Sequence, residues 1–241
     1  MYEGGFMKQT VYLYRMTNDT GCAPCIFEND YKVTDTLTLA CCKGGQLRKN
    51  KGVYTGLRHT IGKQHFEGIK NHSEKVFVVG IMKQRIIYVA EITNICEMKD
   101  YFSNKNNKHR KDFIYTYSEQ GCFEKNQKFY LVRNNNTKDF HPKDLEKVHR
   151  RDELGKYVLI SESFAYFGKE EKLIKNDEKL RSLLPKRQET KTYFSDSEEF
   201  GTIINFIDEI WKNRPVSIVN TEPTERLKSD CSGYNKDNKE G

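Results

Sequence analysis

Residues 75–93, KVFVVGIMKQRIIYVAEIT, carry the strongest structural signal in this sequence of 241 residues. Two runs rich in β-branched side chains, 75–81 and 85–93, flank the link Met82-Lys83-Gln84. Short apolar runs joined by so few residues are typical of two buried strands that form a hairpin. We therefore expect a hairpin here, as the central pair of a sheet.

The elements on either side of the hairpin indicate the fold class. Residues 10–16, 36–42 and 156–162 have the composition of strands, and residues 195–213 have apolar side chains at helical spacing after a cap at Ser195 or Ser197. Strands do not alternate with helices, which disfavours a parallel βαβ architecture. We expect an α+β fold: a small mixed or antiparallel, barrel-like sheet with peripheral helices and a C-terminal amphipathic helix.

Composition bounds the domain organisation and the compartment. Only 36% of the residues are hydrophobic, but 12% are aromatic, which is enough to build a core. We expect a flexible N-terminus over 1–9, one domain over 10–213 and a disordered tail over 214–241. No apolar run approaches the roughly 20 residues that cross a bilayer, and the first residues lack a secretory pattern. The expectation is a cytoplasmic protein with no membrane partner.

The positive charge is concentrated in residues 43–75. The chain has a net charge of +7, and this segment contains eight basic and two acidic residues, six glycines and three of the six histidines. Glycines allow close approach of the backbone to a ligand, and basic side chains attract polyanions. The segment is interpreted either as a loop that faces phosphates or as a solvated basic loop.

Aromatic residues in 161–168 (SESFAYFG) suit base stacking or the edge of a core. Combined with the basic segment, they predict a site that holds a base while cations contact phosphates. The predicted nucleic-acid contacts are Lys43, Arg48, Lys49, Arg58, Lys63, Tyr88, Tyr115, Ser161, Phe164 and Tyr166.

The chain lacks the sequence patterns of P-loop, dinucleotide-binding, HExxH, GxSxG and EF-hand sites. The candidate catalytic residues are Cys42, His59, His65 and Asp112, as nucleophile, acid or base. Cys22, Cys25 and Cys42 with one histidine form an alternative zinc set, while buried apolar cysteines are the more common case. We expect neither a metal nor another cofactor.

Several segments together resemble the nucleotide modification associated domain 2 family. They include 37–45 (LTLACCKGG), 86–93 (IIYVAEIT) followed by Tyr101-Phe102, and 157–168 (YVLISESFAYFG), with Ala23-Pro24-Cys25 before the first block. The resemblance covers about residues 10–213. In the family pattern a histidine follows the element matched by 112–115, and Thr116 stands there in this chain. A catalytic role for that histidine would be impaired here.

The resemblance implies a phage or bacterial DNA-modification setting and names no reaction. A looser similarity to PUA-like barrels, which read bases, implies a pocket within the sheet. Three hypotheses follow: a module that binds DNA or a nucleotide, with RNA as an alternative target; an enzyme of DNA base or nucleotide hypermodification; and a protein-interaction component of a modification or phage-defence system. The first requires no catalytic constellation and is preferred.

Overall fold

The computed structural model describes residues 7–16, 19–41, 44–48, 52–117, 123–125, 152–170, 172–174, 178–187, 189–212 and 215–224. In these residues the strands are β1 (Lys8–Arg15), β2 (Cys25–Phe27), β3 (Val33–Leu39), β4 (Gly45–Arg48), β5 (Gly52–Thr55), β6 (Glu74–Met82), β7 (Arg85–Glu91), β8 (Asn94–Glu97), β9 (Tyr115–Tyr117), β10 (Phe123–Lys125), β11 (Tyr157–Ser161), β12 (Ser163–Tyr166), β13 (Lys172–Leu173), β14 (Thr190–Phe194) and β15 (Val216–Ile218). The helices are α1 (Leu57–Lys70), α2 (Met98–Ser103), α3 (Glu178–Leu183) and α4 (Phe200–Ile210).

The large sheet is built around the hairpin that the sequence indicates. β6 and β7 pair antiparallel, with Val78 opposite Ala90, and β1 lies parallel to β6. The strand order is β14-β1-β6-β7-β12-β15, and β13 also pairs with β7. Among the described strands this order is open, because no pairing connects β14 with β15. The described part of the chain therefore has an α+β fold with a mixed sheet whose strand pairing does not close into a barrel.

Both faces of the large sheet are buried, because successive side chains of a strand point to opposite faces. Tyr12 and Val78 contribute to a core shared with α1 and the small sheet, which has the order β2-β3-β11-β8. Val11 and Val79 contribute to a second core with α3 and α4. The two helix-bearing sides of the large sheet are therefore separated by the sheet itself.

The basic segment 43–75 differs from the loop that we expected. It contains the hairpin of β4 and β5, followed by the fourteen-residue helix α1. Four buried side chains at four-residue spacing, Leu57, Ile61, His65 and Ile69, face the protein interior. This spacing is a helix signal, and Gly62 and Gly68 weaken it because glycine is a poor helix former.

Three predicted boundaries also differ. β1 begins at Lys8, before the predicted domain start at residue 10. Helix α4 begins at Phe200, and its N-cap residue is Glu199 without a side-chain capping bond, instead of Ser195 or Ser197. β15 lies beyond residue 213 and pairs in parallel with β12. In the described part of the chain, no helix is long and apolar enough to cross a membrane.

Candidate functional site

A buried arginine attaches the first turn of α1 to the turn that precedes β11. The side chain of Arg58 is fully buried, and its Nη1 and Nη2 donate to the carbonyl oxygens of Tyr157 and Asp152 at 2.6 and 2.9 Å. The hydroxyl of Tyr115 donates to Oδ2 of Asp152 at 2.7 Å. At Gly155 a Cβ atom would lie 2.5 Å from the guanidinium carbon of Arg58. Arg58 thus fixes the position of the turn relative to α1.

Three half-buried rings meet where α1 packs on β11. The ring of Tyr157 lies between those of His59 and Phe66, with centroid distances of 6.1 and 6.0 Å. Gly62 makes room for it, since a Cβ there would lie 2.2 Å from Tyr157 ring atoms. The rings therefore form a row along the surface of the helix.

Two exposed lysines act on the histidine of this row. Lys63 follows His59 on α1, and Lys156 directly precedes Tyr157 with a left-handed backbone φ of 54°. Burial, followed by the positive charges of Lys156 and Lys63, lowers the pKa of His59 below its ordinary value. We call the five residues His59, Lys63, Phe66, Lys156 and Tyr157 the α1–β11 face. It combines cations with aromatic rings at the protein surface.

The predicted phosphate contacts are placed in different environments. Lys63 is exposed on α1, whereas Arg58 is fully buried and donates its hydrogen bonds to main-chain oxygens of the protein. Arg48 ends β4, and Lys43 and Lys49 lie outside the described residues. Within the described part of the chain, the structure places Lys63 but not Arg58 where it can meet a phosphate.

The aromatic residues predicted to hold a base lie in the core. The fully buried side chains among them are Tyr88, Tyr115, Ser161, Phe164 and Tyr166. Ser161 Oγ donates to the carbonyl oxygen of Ser163 at 2.8 Å, and the hydroxyl of Tyr166 donates to Oδ2 of Asp19 at 2.9 Å. Burial, and then Asp19, raise the pKa of Tyr166, so the phenol remains a donor. The alternative interpretation of 161–168, as a part of the core, agrees with these positions.

His65 belongs to a buried hydrogen-bond network that connects α1 to the large sheet. Its Nε2 lies 2.8 Å from the hydroxyl of Tyr12, and its Nδ1 lies 2.5 Å from Oε2 of Glu74. Burial, and then Glu74, raise the pKa of Tyr12. Burial alone would raise the pKa of Glu74, but hydrogen bonds from His65 and Lys8 lower it. This network satisfies polar groups that the packing of α1 removes from water.

Asp112 occupies an equally buried position, in a turn that packs against β3 of the small sheet. Its Oδ2 accepts a short hydrogen bond from Thr38, and its Oδ1 accepts from the hydroxyl of Tyr101 at 2.8 Å. Arg110 Nε lies 3.6 Å from Oδ1 of Asp112. Nη2 of Arg110 donates to the carbonyl oxygen of Cys25 at 2.9 Å. His59, His65 and Asp112 therefore occupy three separate networks and form no shared catalytic centre.

The structure describes two of the three cysteines in the alternative zinc set. Cys22 is half-buried and Cys25 is buried, and Cys42 lies outside the described residues. Burial, and then Asp112, raise the pKa of the Cys25 thiol. No group of three metal-ligating side chains occurs within the described ranges. Cys25 accordingly has the environment of a core thiol.

Sequence reasoning missed three members of the α1–β11 face: Phe66, Lys156 and Tyr157. Tyr157 is part of the predicted strand over 156–162, and Phe66 is part of the basic segment. Their separation of more than ninety residues in the chain conceals that they are neighbours. The available signal was the presence of an aromatic residue beside a lysine at the start of a buried strand.

Comparison with known protein families identifies this chain by its sequence. The model of the family described as nucleotide modification associated domain 2 matches residues 8–229. Neither a curated protein nor a solved structure matches the chain.

Proposed function

The chain belongs to the nucleotide modification associated domain 2 family, and from that premise we propose that it binds nucleic acid or a nucleotide. In this proposal, the domain recognises a base, modified or unmodified, while cations contact the phosphates. The finer expectations from the sequence are part of the same proposal: a PUA-like architecture, a phage or bacterial setting and a cytoplasmic location.

The α1–β11 face carries this proposal. The exposed lysines Lys63 and Lys156 accompany partly exposed rings, which is the pairing of charge and π-surface used to bind nucleic acids. The chain enters α1 from the glycine-rich basic segment, and the N-cap residue Gly56 makes no side-chain capping bond. We propose that Lys43, Arg48 and Lys49 extend the same phosphate-binding surface.

Salt-dependent binding tests this proposal. Fluorescence anisotropy of the full chain with labelled single- and double-stranded DNA should show affinity that falls steeply with salt concentration, because bound phosphates release counterions. The variant Lys63→Gln/Lys156→Asn should bind about 5- to 30-fold more weakly, since each exposed ion pair contributes about 0.5–1 kcal/mol. Asparagine is chosen at position 156 because it tolerates the left-handed conformation.

The matched control removes two charges from the other side of the large sheet. Lys172 lies in β13 and Lys179 in α3, and both are exposed. Lys172→Gln/Lys179→Gln should keep the wild-type affinity and salt dependence. Equal losses in the two double variants would indicate a diffuse charge effect and contradict the assigned surface. The absence of binding at low salt would contradict the proposed function.

The same titration with modified bases addresses the recognition of the base. A preference for one modification would support a role as a reader of modified DNA. Salt-sensitive binding without any such preference would reduce the proposal to a polyanion-binding surface.

A further inference from the structure

We infer that the α1–β11 face binds an unpaired nucleotide of a single-stranded nucleic acid, with the base stacked on Tyr157. This inference rests on the proposed function and specifies its target. The phosphates on either side of the base would lie near Lys63 and Lys156.

Tyr157 is held in place before any ligand arrives. Its carbonyl oxygen accepts from Arg58 at 2.6 Å, it pairs with Glu97 of β8, and its ring lies against the helix at Gly62. A ring that is already fixed loses little conformational freedom when a base stacks on it. The backbone contacts involve no side-chain atom of Tyr157, so the ring can be changed without removing them.

The shape of the face favours a single strand over a duplex. The three rings of the face are half-buried at a junction between a helix and a strand: His59, Phe66 and Tyr157. Part of each ring is therefore accessible to a ligand. In a duplex the faces of the bases are covered by stacking, and only their edges are accessible in the grooves. An unpaired base exposes its face to an aromatic ring.

The positions of the two lysines agree with a strand that runs across the rings. Lys63 lies on α1 and Lys156 on the turn before β11, and both act electrostatically on His59. A backbone that passes over Tyr157 would therefore have cations from both elements near it. Because every base has a π-face, this arrangement predicts tolerance of base sequence in the stacking contact.

The experiment compares one 12-nucleotide sequence as a single strand and as a duplex, with full-length wild type, Tyr157→Leu and Tyr157→Phe. We expect the wild type to prefer the single strand and Tyr157→Leu to lose about fivefold or more of that affinity, in line with stacking on one base. Tyr157→Phe retains the ring and should bind the single strand with the affinity of the wild type. A strand containing 2-aminopurine should lose fluorescence on binding to the wild type, because stacking quenches it.

The controls separate this inference from the proposed function. Phe194→Leu changes an exposed ring of β14 and should leave single-strand binding unchanged. If Tyr157→Leu does not fold, Phe66→Leu and the 2-aminopurine signal of the wild type decide the question. Equal affinity for both DNA forms, or unchanged binding by a folded Tyr157→Leu, overturns the single-strand inference alone. No binding to either form overturns the proposed function as well.

Discussion

At the scale of single residues, His59 is the titrating group of the α1–β11 face. Lys63, on the same helix, acts on its imidazole. On the turn and strand opposite, the partners of the imidazole are Lys156, the main chain of Leu154 and the ring of Tyr157. Because burial and the two lysines lower its pKa, the imidazole is neutral at pH 7 and becomes charged only as the pH falls through that lowered value. A phosphate placed between these cations would favour the charged form.

We therefore predict that nucleic-acid binding strengthens at low pH through His59. Between pH 7.5 and pH 5.5, at constant ionic strength, the affinity of the wild type should rise about two- to fivefold more than that of His59→Gln, as expected for one added ion pair. Anisotropy titrations at both pH values measure the difference. Parallel pH profiles for the two proteins would show that His59 does not contact the ligand's charge.

The chemical type of a side chain does not by itself show whether the residue binds a ligand or stabilises the core. Arg58, His65 and Asp112 have side chains that serve in binding or catalysis, and each is at most 1% exposed with internal partners. Nothing in a single sequence distinguishes a buried arginine that fixes a turn from an exposed one that contacts phosphate. The distinction depends on what packs over the residue.

At the scale of elements, helix α1 contains a glycine whose cost is offset by a packing contact. Gly62 is in the interior of the helix, where glycine is about 1 kcal/mol less favourable than alanine. A Cβ at this position would lie 2.2 Å from ring atoms of Tyr157. Around Gly201, in α4, no side chain or distant backbone atom of the described residues lies within 4 Å of the Cβ position. Gly62 thus lies inside its helix against a ring, whereas Gly201 is the second residue of α4 and has an open Cβ position.

Alanine at these two positions should change stability in opposite directions. Gly62→Ala should lower the free energy of unfolding by about 1–3 kcal/mol, because overpacking outweighs the gain in helix propensity. Gly201→Ala should raise it by up to about 1 kcal/mol. Urea unfolding followed by circular dichroism compares the midpoints. A gain in stability for both variants would mean that the Tyr157 ring can move aside at little cost.

At the scale of the whole molecule, Asp19 connects segments from both ends of the described chain. Its fully buried carboxylate accepts from the hydroxyl of Tyr166 at 2.9 Å and from the main-chain N–H groups of Gly21 and Thr224 at 3.3 and 3.2 Å. The hydroxyl of Thr224 donates to the carbonyl oxygen of Asp19. The segment that follows β15 is thereby attached to the core between the sheets.

Replacing this carboxylate should destabilise the entire fold. Asp19→Asn turns one acceptor oxygen into a donor group among buried donors, and we expect a loss of about 1–3 kcal/mol in the free energy of unfolding. Asp35→Asn, at an exposed position of β3, serves as the control and should change stability by less than about 0.5 kcal/mol. Chemical denaturation measures both variants. Equal midpoints would show that the Asp19 contacts make no net contribution.

The linear order of residues is enough to predict the central hairpin, the α+β class and the family. Nearly continuous apolar runs at 75–81 and 85–93 place apolar side chains on both faces of the strands, and the structure has one core on each side of β6 and β7. The family follows from motifs that are contiguous in the chain, and the match over residues 8–229 confirms it. These properties are local, so a linear pattern is sufficient to specify them.

Which residues share a surface depends on how the chain folds in three dimensions. Folding buries Arg58, Tyr88 and Tyr166 and brings Tyr157 into contact with His59 and Phe66. Part of the basic segment forms helix α1, because burial of Leu57 and Ile61 outweighs the low helix propensity of glycine. Exposure and proximity depend on contacts between distant parts of the chain, and a single sequence does not record those contacts.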